Sequence, residues 1–99
     1  MKRFVLTPLA RADLEEIHDF ILLDSPAAAA RVRVELLTAI RRLTVHPHLG
    51  HLRQDLADEA LRFWPVYSYL VIYRPETDSL QIVRILHASR DIRSLLEET

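Results

Sequence analysis

The chain has no cysteine, one glycine and no long apolar run. Without cysteine it cannot form disulfides, thiolate nucleophiles or cysteine-based zinc sites, which fits a reducing compartment. Phe4, Val5 and Leu6 form an N-terminal apolar run far too short for a signal peptide, and no segment approaches the length that spans a bilayer. We therefore expect a soluble cytoplasmic protein with no membrane contact.

Net positive charge is also missing. The 13 basic residues, twelve arginines and Lys2, face 14 acidic residues, so the net charge is -1 and the pI about 6.5. The chain thus lacks the global positive field that holds nucleic acid nonspecifically, which weakens an RNA-binding interpretation. Arginine suits bidentate pairing with carboxylate or phosphate, so the arginines can serve either a phosphate site or an acidic protein partner.

What is present suffices for one hydrophobic core, because 49% of the 99 residues are hydrophobic. We expect a single domain over residues 1–99. In the first half, Thr7-Pro8 and Ser25-Pro26 each offer a capping side chain followed by a proline suited to a first helical turn. Apolar residues at helical spacing follow each signal and predict antiparallel helices over 8–23 and 26–45.

The rest of the chain predicts strands. RFVLT at 3–7, LRFWPV at 61–66, SYLVIYR at 68–74 and LQIVRILH at 80–87 are apolar and rich in β-branched or aromatic residues, with a turn at 75–79. Near the C-terminus, a short helix would dock Ile92, Leu95 and Leu96 on the core. The order β-α-α-β-β-β with a C-terminal helix predicts an α+β fold, with an αα-hairpin on one face of a small, mostly antiparallel sheet and the other face open.

The strand at 68–74 alternates tyrosines with aliphatic residues. We expect Leu70 and Ile72 to lie under the helices and Tyr69 and Tyr73 to face a partner, although the pattern allows the opposite assignment nearly as well. Trp64 joins these tyrosines as a candidate interface anchor. The alternatives are stacking on RNA bases or a place in the core.

Three segments stand out by their order along the chain: HPHLG at 46–50, LRFWPVYSYLVIYR at 61–74 and VRILHASRD at 83–91. Together they resemble the ParE/RelE superfamily of bacterial toxins, which includes plasmid-stabilisation proteins. The resemblance covers residues 3–96 and implies a toxin that is blocked by a cognate antitoxin, as a possible hetero-oligomer. We expect arginines of the second helix, Arg31, Arg41 and Arg42, to meet antitoxin carboxylates.

The superfamily divides into enzymes and binders. RelE-like members are implied to be ribosome-dependent mRNA endonucleases, and their strand commonly reads Tyr-Arg-x-x-Tyr, where this chain has Leu70 in place of the arginine. ParE-like members are implied to inhibit DNA gyrase by binding, and carry HP-x-x-G, Y-L-x-x-Y and R-I-L-H, all of which are matched here. The resemblance therefore favours a non-catalytic ParE-like toxin. The alternatives are an RNase and an inactive relative kept for interaction.

If the chain is an RNase, the catalytic candidates are His87, Arg90, Arg53, Arg62 and Arg84. Strand alternation puts Arg84 and His87 on opposite faces unless a bulge intervenes. The competing interpretation is that Arg84 pairs with a helix carboxylate, Glu15 or Glu16, and that His87 caps the strand end.

A metal site is the remaining alternative. His46, His48 and His51 have a His-x-His-x-x-His spacing that could supply imidazoles to zinc or nickel. No carboxylate completes the set before Asp55. We instead expect His46-Pro47 to end the second helix and Gly50 to take a left-handed turn conformation, with no metal and no cofactor.

Overall fold

A computed structural model describes residues 3–57, 60–75 and 78–98. The order of helices and strands follows the predicted one, with one additional short strand. The elements are β1 Phe4–Leu6, α1 Pro8–Leu22, α2 Pro26–Val45, β2 His51–Leu52, β3 Arg62–Val66, β4 Tyr69–Arg74, β5 Leu80–His87 and α3 Ile92–Glu97. Two residues of the turn predicted at 75–79 lie outside the described residues.

Both predicted helix starts are confirmed. The Thr7 hydroxyl accepts a hydrogen bond from the Ala10 N–H at 3.0 Å, and the Ser25 hydroxyl accepts one from the Ala28 N–H at 3.1 Å. In each helix a proline lies in the first turn, where its missing N–H would have had no intrahelical partner. The short link between the helices makes α1 and α2 a packed hairpin.

Among the described residues, the sheet has five strands in the order β1-β5-β4-β3-β2. The chain crosses from β1 through both helices to the other edge of the sheet, and then returns by hairpins until β5 pairs with β1. β1 runs parallel to β5, and the other neighbours are antiparallel. The α+β class, the helical hairpin on one face and the mostly antiparallel sheet are therefore confirmed.

The predicted facing of β4 is wrong. Val71 and Tyr73 lie in the core under α1 and α2, together with Ile82 and Ile85 of β5. Leu70 and Ile72 point to the opposite face. Because both sets are apolar, alternation alone could not choose between the faces. The phenol of Tyr73 finds hydrogen-bond partners beyond the end of α2, which suits the helix side.

The second face of the sheet is not open, which corrects a further expectation. It is covered by Ile92 of α3, by Ala57 and by the partly buried Leu56, Leu95 and Leu96, which pack on Phe63, Leu70, Ile72, Val83 and Leu86. The predicted docking of Ile92, Leu95 and Leu96 is thereby confirmed. The sheet consequently has a core on both sides. In the described part of the chain, no helix combines the length and apolarity needed to cross a bilayer.

Candidate functional site

The end of β5 borders a groove of about 740 Å³ that runs beside the C-terminal half of α1. We call it the α1–β5 groove. One wall comes from α1, and the other from Tyr69, Ile85, Leu86, His87, Ser89 and Arg90. His87 and Arg90, two of the catalytic candidates, therefore lie in one concave site.

The His87 ring is held in place by local contacts. Its Nδ1 accepts a hydrogen bond from the Ser89 N–H at 3.1 Å and lies 2.7 Å from the Ser89 hydroxyl. The Tyr69 ring meets it edge-on, with centroids 5.4 Å apart. Since Nδ1 accepts from a backbone donor, the proton of the neutral ring is on Nε2. This agrees with the expectation that His87 closes the end of the strand.

Arg84 is committed to an ion pair with α1. Its Nε and Nη2 donate to the two carboxylate oxygens of Asp13 at 2.8 and 2.9 Å, and the Ile85 N–H donates to the same carboxylate at 3.0 Å. The hydrogen bonds to Asp13 raise the pKa of Arg84. Arg84 does pair with a carboxylate on the covering helix, but Glu15 and Glu16 were the wrong candidates.

The sheet topology explains how the Arg84 side chain reaches Asp13 on α1. Arg84 is in register with Ile72, on the α3 side, whereas His87 is in register with Tyr69. β1 pairs with β5 only as far as Ile82, and beyond that point side chains, the Thr7 hydroxyl and the Asp13 carboxylate, bind this edge of β5. The guanidinium passes this edge to reach Asp13, whose carboxylate also accepts a hydrogen bond from the Ile85 N–H.

Arg53 and Arg62 lie at the far end of the sheet from His87. Arg62 is opposite Tyr73, which is opposite Ile82. Ile82 precedes His87 by five residues, which span about 16 Å of strand. Nη1 of Arg62 donates to the carbonyl oxygens of Gly50 at 2.7 Å and His48 at 3.3 Å. The structure therefore does not bring Arg62 and His87 together.

Arg53 is likewise occupied. Its Nε and Nη2 donate to the two oxygens of Asp55 at 2.9 and 2.8 Å in an exposed pair. The hydrogen bonds from Arg53 lower the pKa of Asp55, and the same bonds raise the pKa of Arg53. Of the five catalytic candidates, only His87 and Arg90 share a site.

The antitoxin candidates lie along α2, and Arg42 borders a surface between α2 and β3 that also carries the acidic Glu35. Arg31, Arg41 and Arg42 are all exposed. The Arg42 guanidinium carbon lies 5.7 Å from the Trp64 ring centroid, and the His51 ring stacks on Trp64 at 6.3 Å. We call Arg31, Arg41, Arg42 and Trp64 the basic α2 surface. It joins positive charge to a half-buried aromatic ring, a combination that suits an acidic protein segment.

Tyr73 cannot belong to such a surface, which corrects its prediction as an interface anchor. Its side chain is fully buried. The phenol donates to the Pro47 carbonyl oxygen at 2.8 Å and accepts from the Gly50 N–H at 2.8 Å. The structure instead makes Tyr73 the residue that fastens the loop after α2 to the sheet. Tyr69 is half-buried and lines the α1–β5 groove.

The three loop histidines occupy separate environments. His46 caps the end of α2, the His48 carbonyl oxygen accepts from Arg62, and the His51 ring stacks on Trp64. Within residues 3–57, 60–75 and 78–98, no group of three or more His, Cys, Asp or Glu residues is arranged to hold a metal ion. The loop connects α2 to β2, the short edge strand that was not predicted from the sequence.

Comparison with known proteins assigns the family. Residues 4–92 match the family model described as "ParE toxin of type II toxin-antitoxin system, parDE". The chain belongs to the ParE toxin family. Toxins of this family are paired with antitoxins, so an antitoxin is among the partners of this chain. The suspected ParE/RelE superfamily is thereby confirmed.

Two individual toxins and one solved structure are similar to this ParE family member. It is 37% identical to Toxin RelE2 of Caulobacter vibrioides over 90 residues, covering 91% of this chain and 99% of that protein. It is 31% identical to Toxin RelE3 of the same organism, covering 89% and 96% of the two chains. Its fold is similar to that of a solved structure described as "Chromosomal ParDE TA system from P. aeruginosa", with a TM-score of 0.71, 22% identity and coverage of 88% and 96%.

Sequence reasoning about this ParE family member missed the roles of Asp13, Phe20 and Leu23. Asp13 lies three residues after Ala10 and four before Ile17, so helical spacing puts it on the face that meets the sheet. Phe20 and Leu23 extend this side at intervals of three and are largely exposed. Tyr67, in the turn between β3 and β4, has a φ of 54°, a left-handed conformation that the sequence did not announce.

Proposed function

We propose that this toxin inhibits growth by binding a cytoplasmic target, DNA gyrase, and not by cutting RNA, and that its antitoxin blocks it. The proposal that the toxin does not cut RNA is supported by the ion pairs and the positions of the candidate arginines. RNA cleavage through a 2′-oxygen needs positive charge around the reacting phosphate and an acid or base within reach. Arg84 and Arg53 are neutralised by Asp13 and Asp55, and Arg62 lies far from His87.

Gyrase as the target rests on the match to the ParE family model and on the three matched sequence motifs, HP-x-x-G, Y-L-x-x-Y and R-I-L-H. The solved structure with a similar fold is likewise described as a ParDE system. The net charge of -1 is consistent with a target recognised through protein contacts rather than through a phosphate backbone.

One experiment separates the candidate functions. The purified chain is added to gyrase, relaxed plasmid and ATP, and in parallel it is expressed in bacteria from a tightly controlled promoter while mRNA integrity is followed. We expect loss of supercoiling in vitro, and a DNA-damage response with intact mRNA in cells. Unimpaired supercoiling together with rapid mRNA cleavage would replace gyrase by the ribosome. Normal growth would indicate an inactive relative.

A RelE-like RNase is the second candidate, because His87 and Arg90 share the α1–β5 groove and two relatives carry the name RelE. An RNase would lose its toxicity on substitution His87→Ala while keeping its affinity for the antitoxin. A binder that does not use imidazole chemistry would keep inhibiting gyrase. Measuring both properties on the same His87→Ala protein distinguishes the two functions.

A further inference from the structure

The turn between β3 and β4 has a strained backbone at Tyr67. Val66 pairs with Tyr69, so Tyr67 and Ser68 form a two-residue turn. The φ of Tyr67 is 54°, whereas Ser68 does not have a positive φ. A positive φ at the first turn residue alone is the pattern of a type II′ turn, which favours glycine there. A bulky residue is costly at such a position, and strain of this kind is typical of functional sites.

The left-handed turn also decides on which side of the sheet the Tyr67 ring lies. Trp64 and Val66 pack towards α1 and α2, so strand alternation would direct the Tyr67 side chain to the opposite face. The ring instead lines a cleft between α2 and β3, together with Glu35 of α2. Partial desolvation and the nearby Glu35 carboxylate raise the pKa of the Tyr67 phenol. Because Tyr67 remains 57% exposed, the turn holds the ring beside α2 without burying it.

The cleft between α2 and β3 has a volume of about 580 Å³, and we call it the α2–β3 cleft. Trp64 lies beside Arg42, whose guanidinium carbon is 5.7 Å from the ring centroid, and Tyr67 lies beside Glu35. Arg31 also acts electrostatically on Tyr67 but is not part of the cleft lining. Arg42 follows Glu35 by seven residues, which span about 10 Å of helix. The cleft therefore contains two aromatic–charge pairs of opposite sign about 10 Å apart.

The lining of the α2–β3 cleft also supplies hydrogen-bond donors. Thr38, Trp64 and Tyr67 contribute a hydroxyl, an indole N–H and a phenol. Within the described residues, neither the Thr38 hydroxyl nor the Trp64 N–H donates a hydrogen bond. An indole N–H usually has a partner when it is buried, as it would be under a ligand. The cleft thus suits a ligand that has many acceptors and few donors of its own.

We infer that the α2–β3 cleft binds an extended, proline-containing segment of a protein partner. Such a segment in the polyproline II conformation has free carbonyl oxygens and lacks an N–H at each proline. Its turn of about 9 Å matches the separation of the two aromatic–charge pairs. Prolines lie beside Trp64 and Tyr67, a basic residue lies opposite Glu35, and an acidic residue lies opposite Arg42. An α-helix fits this donor set poorly, because its carbonyl groups are bonded within the helix.

Binding of this segment goes beyond the proposed function and does not depend on gyrase being the target. It also differs from binding of an acidic segment to the basic α2 surface. Both would use Arg42 and Trp64, but only the proline-containing segment requires Tyr67 and Glu35. The failure of either proposal would leave the other in place.

The test uses synthetic peptides of about ten residues, which correspond to about three turns of polyproline II. The proline peptide has two arginines, a central Pro-x-x-Pro run and two glutamates. In the glycine peptide, glycine replaces each proline and the charges are unchanged. Binding to the full chain is measured by fluorescence anisotropy. We expect the proline peptide to bind at least about tenfold more tightly, because its bound conformation is already formed in solution.

A matched pair of substitutions in the turn tests the use of the Tyr67 ring. Tyr67→Gly should weaken the proline peptide by at least about tenfold, because an aromatic anchor is lost. Its midpoint in urea should stay the same or rise, since glycine adopts a φ of 54° without steric cost. Ser68→Ala changes the neighbouring exposed turn residue and should alter neither property.

The charge preference is tested on the protein and on the peptide. Glu35→Lys should weaken the proline peptide roughly threefold to tenfold, because it repels the arginines. Glu15→Lys makes the same reversal on an exposed residue of α1 outside the cleft and should change little. A peptide with the same Pro-x-x-Pro run and glutamates at both ends should bind roughly threefold to tenfold more weakly than the proline peptide.

Four results would overturn the inference. The first is equal affinity for the proline and glycine peptides, or no binding of either up to about 1 mM. The second is tighter binding of the peptide with glutamates at both ends, which would assign the cleft to acidic segments. The third is a lower urea midpoint of Tyr67→Gly with unchanged affinity, because the ring would then be kept for the fold. The fourth is a dimer of the free chain, seen by light scattering, that Tyr67→Gly dissociates.

Discussion

At the scale of single residues, the contact between Tyr73 and Gly50 shows how the loop after α2 is fixed. Gly50 does not have a positive φ, so the sequence-based expectation of a left-handed turn is wrong. Glycine is needed for space instead. A Cβ atom at this position would lie 2.6 Å from the Tyr73 hydroxyl oxygen and 2.8 Å from a ring carbon. The ring is fully buried and cannot move aside.

We expect Tyr73→Phe to destabilise the protein by about 1–3 kcal/mol, because the buried Gly50 N–H loses its acceptor. Gly50→Ala should cost a similar amount through overpacking, about 1–3 kcal/mol. The double variant should be more stable than the sum of the two costs implies, since both changes act on one contact. Urea denaturation of the four proteins measures this coupling. Strict additivity would contradict the proposed contact.

The Asp13–Arg84 pair is the second feature at this scale. The two side chains have relative exposures of only 8% and 11%, and Asp13 also accepts the edge N–H of Ile85. Without Asp13, Arg84 would lose its two carboxylate hydrogen bonds and keep only the weaker electrostatic attraction of Glu16 and Glu98. The pair therefore links α1 to β5, and we expect the loss of one partner alone to lower the free energy of unfolding.

Asp13→Ala should lower the free energy of unfolding by about 3–5 kcal/mol. The double substitution Asp13→Leu with Arg84→Met should recover part of this loss, because no buried charge remains. Glu15→Ala on the same helix is the control and should change stability by less than about 0.5 kcal/mol, since Glu15 is exposed. Equal losses in Asp13→Ala and Glu15→Ala would remove the ion pair from the account of stability.

At the scale of secondary-structure elements, α3 has only six residues but covers the second face of the sheet. A helix of six residues is not stable alone in water, so its formation depends on packing against the sheet. The Asp91 carboxylate accepts from the Ser94 N–H at 3.4 Å and from the Ser94 hydroxyl at 2.9 Å, which sets the start of the helix. Ile92 then packs on the second face with 2% exposure.

Ile92→Ala should destabilise the protein by about 2–5 kcal/mol, because it leaves a cavity in the second core. Amide hydrogen exchange should show loss of protection in α3 and faster exchange in β4 and β5 beneath it. Arg93→Ala is unsuitable as a control because Arg93 donates to the Gln54 and Asp55 carbonyl oxygens. Exposed Glu97→Ala serves better. Unchanged stability in Ile92→Ala would mean that the second core contributes little.

At the scale of the whole molecule, the two helices present opposite charges to possible partners. α1 carries the exposed Glu16 and Asp19 beside the α1–β5 groove, and α2 carries the arginines of the basic α2 surface. A net charge of -1 conceals this separation.

We expect Arg41→Glu to weaken binding of the cognate antitoxin by roughly tenfold, since a charge on the basic α2 surface is reversed. Arg42→Glu should have a larger effect, because it also removes the stacking on Trp64. Arg11→Glu reverses an exposed arginine on α1 and is the matched control. Calorimetry with the purified antitoxin measures all three. Affinities equal to that of the unsubstituted chain in both α2 variants would exclude this surface.

Much of the fold follows from local rules that the sequence displays. Thr7-Pro8 and Ser25-Pro26 mark the helix starts because capping depends on neighbouring residues alone. The order of elements then predicts an α+β fold with paired strands. The short strand β2 was missed because a two-residue edge strand carries no periodic signal.

The site was predicted less well, because it depends on which residues meet across the fold. His87 and Arg90 do share a groove. The partner of Arg84 could not be predicted, because it depends on which side of α1 faces β5, and that side carries Asp13 rather than Glu15 or Glu16. The exposed arginines of α2 could be identified from spacing. Their contact with Trp64 depended on the packing of α2 beside β3.

The sequence by itself determined the helices, the longer strands, their order and the family, since capping, periodicity and motif order are properties of neighbouring residues. The tertiary structure decided which face of β4 is buried under the helices and which charges are already paired. It also decided that Gly50 is needed for space and that Phe20 and Leu23 are left exposed beside His87. Each of these depends on contacts between residues distant in sequence, and a strand with two apolar faces does not specify such contacts locally.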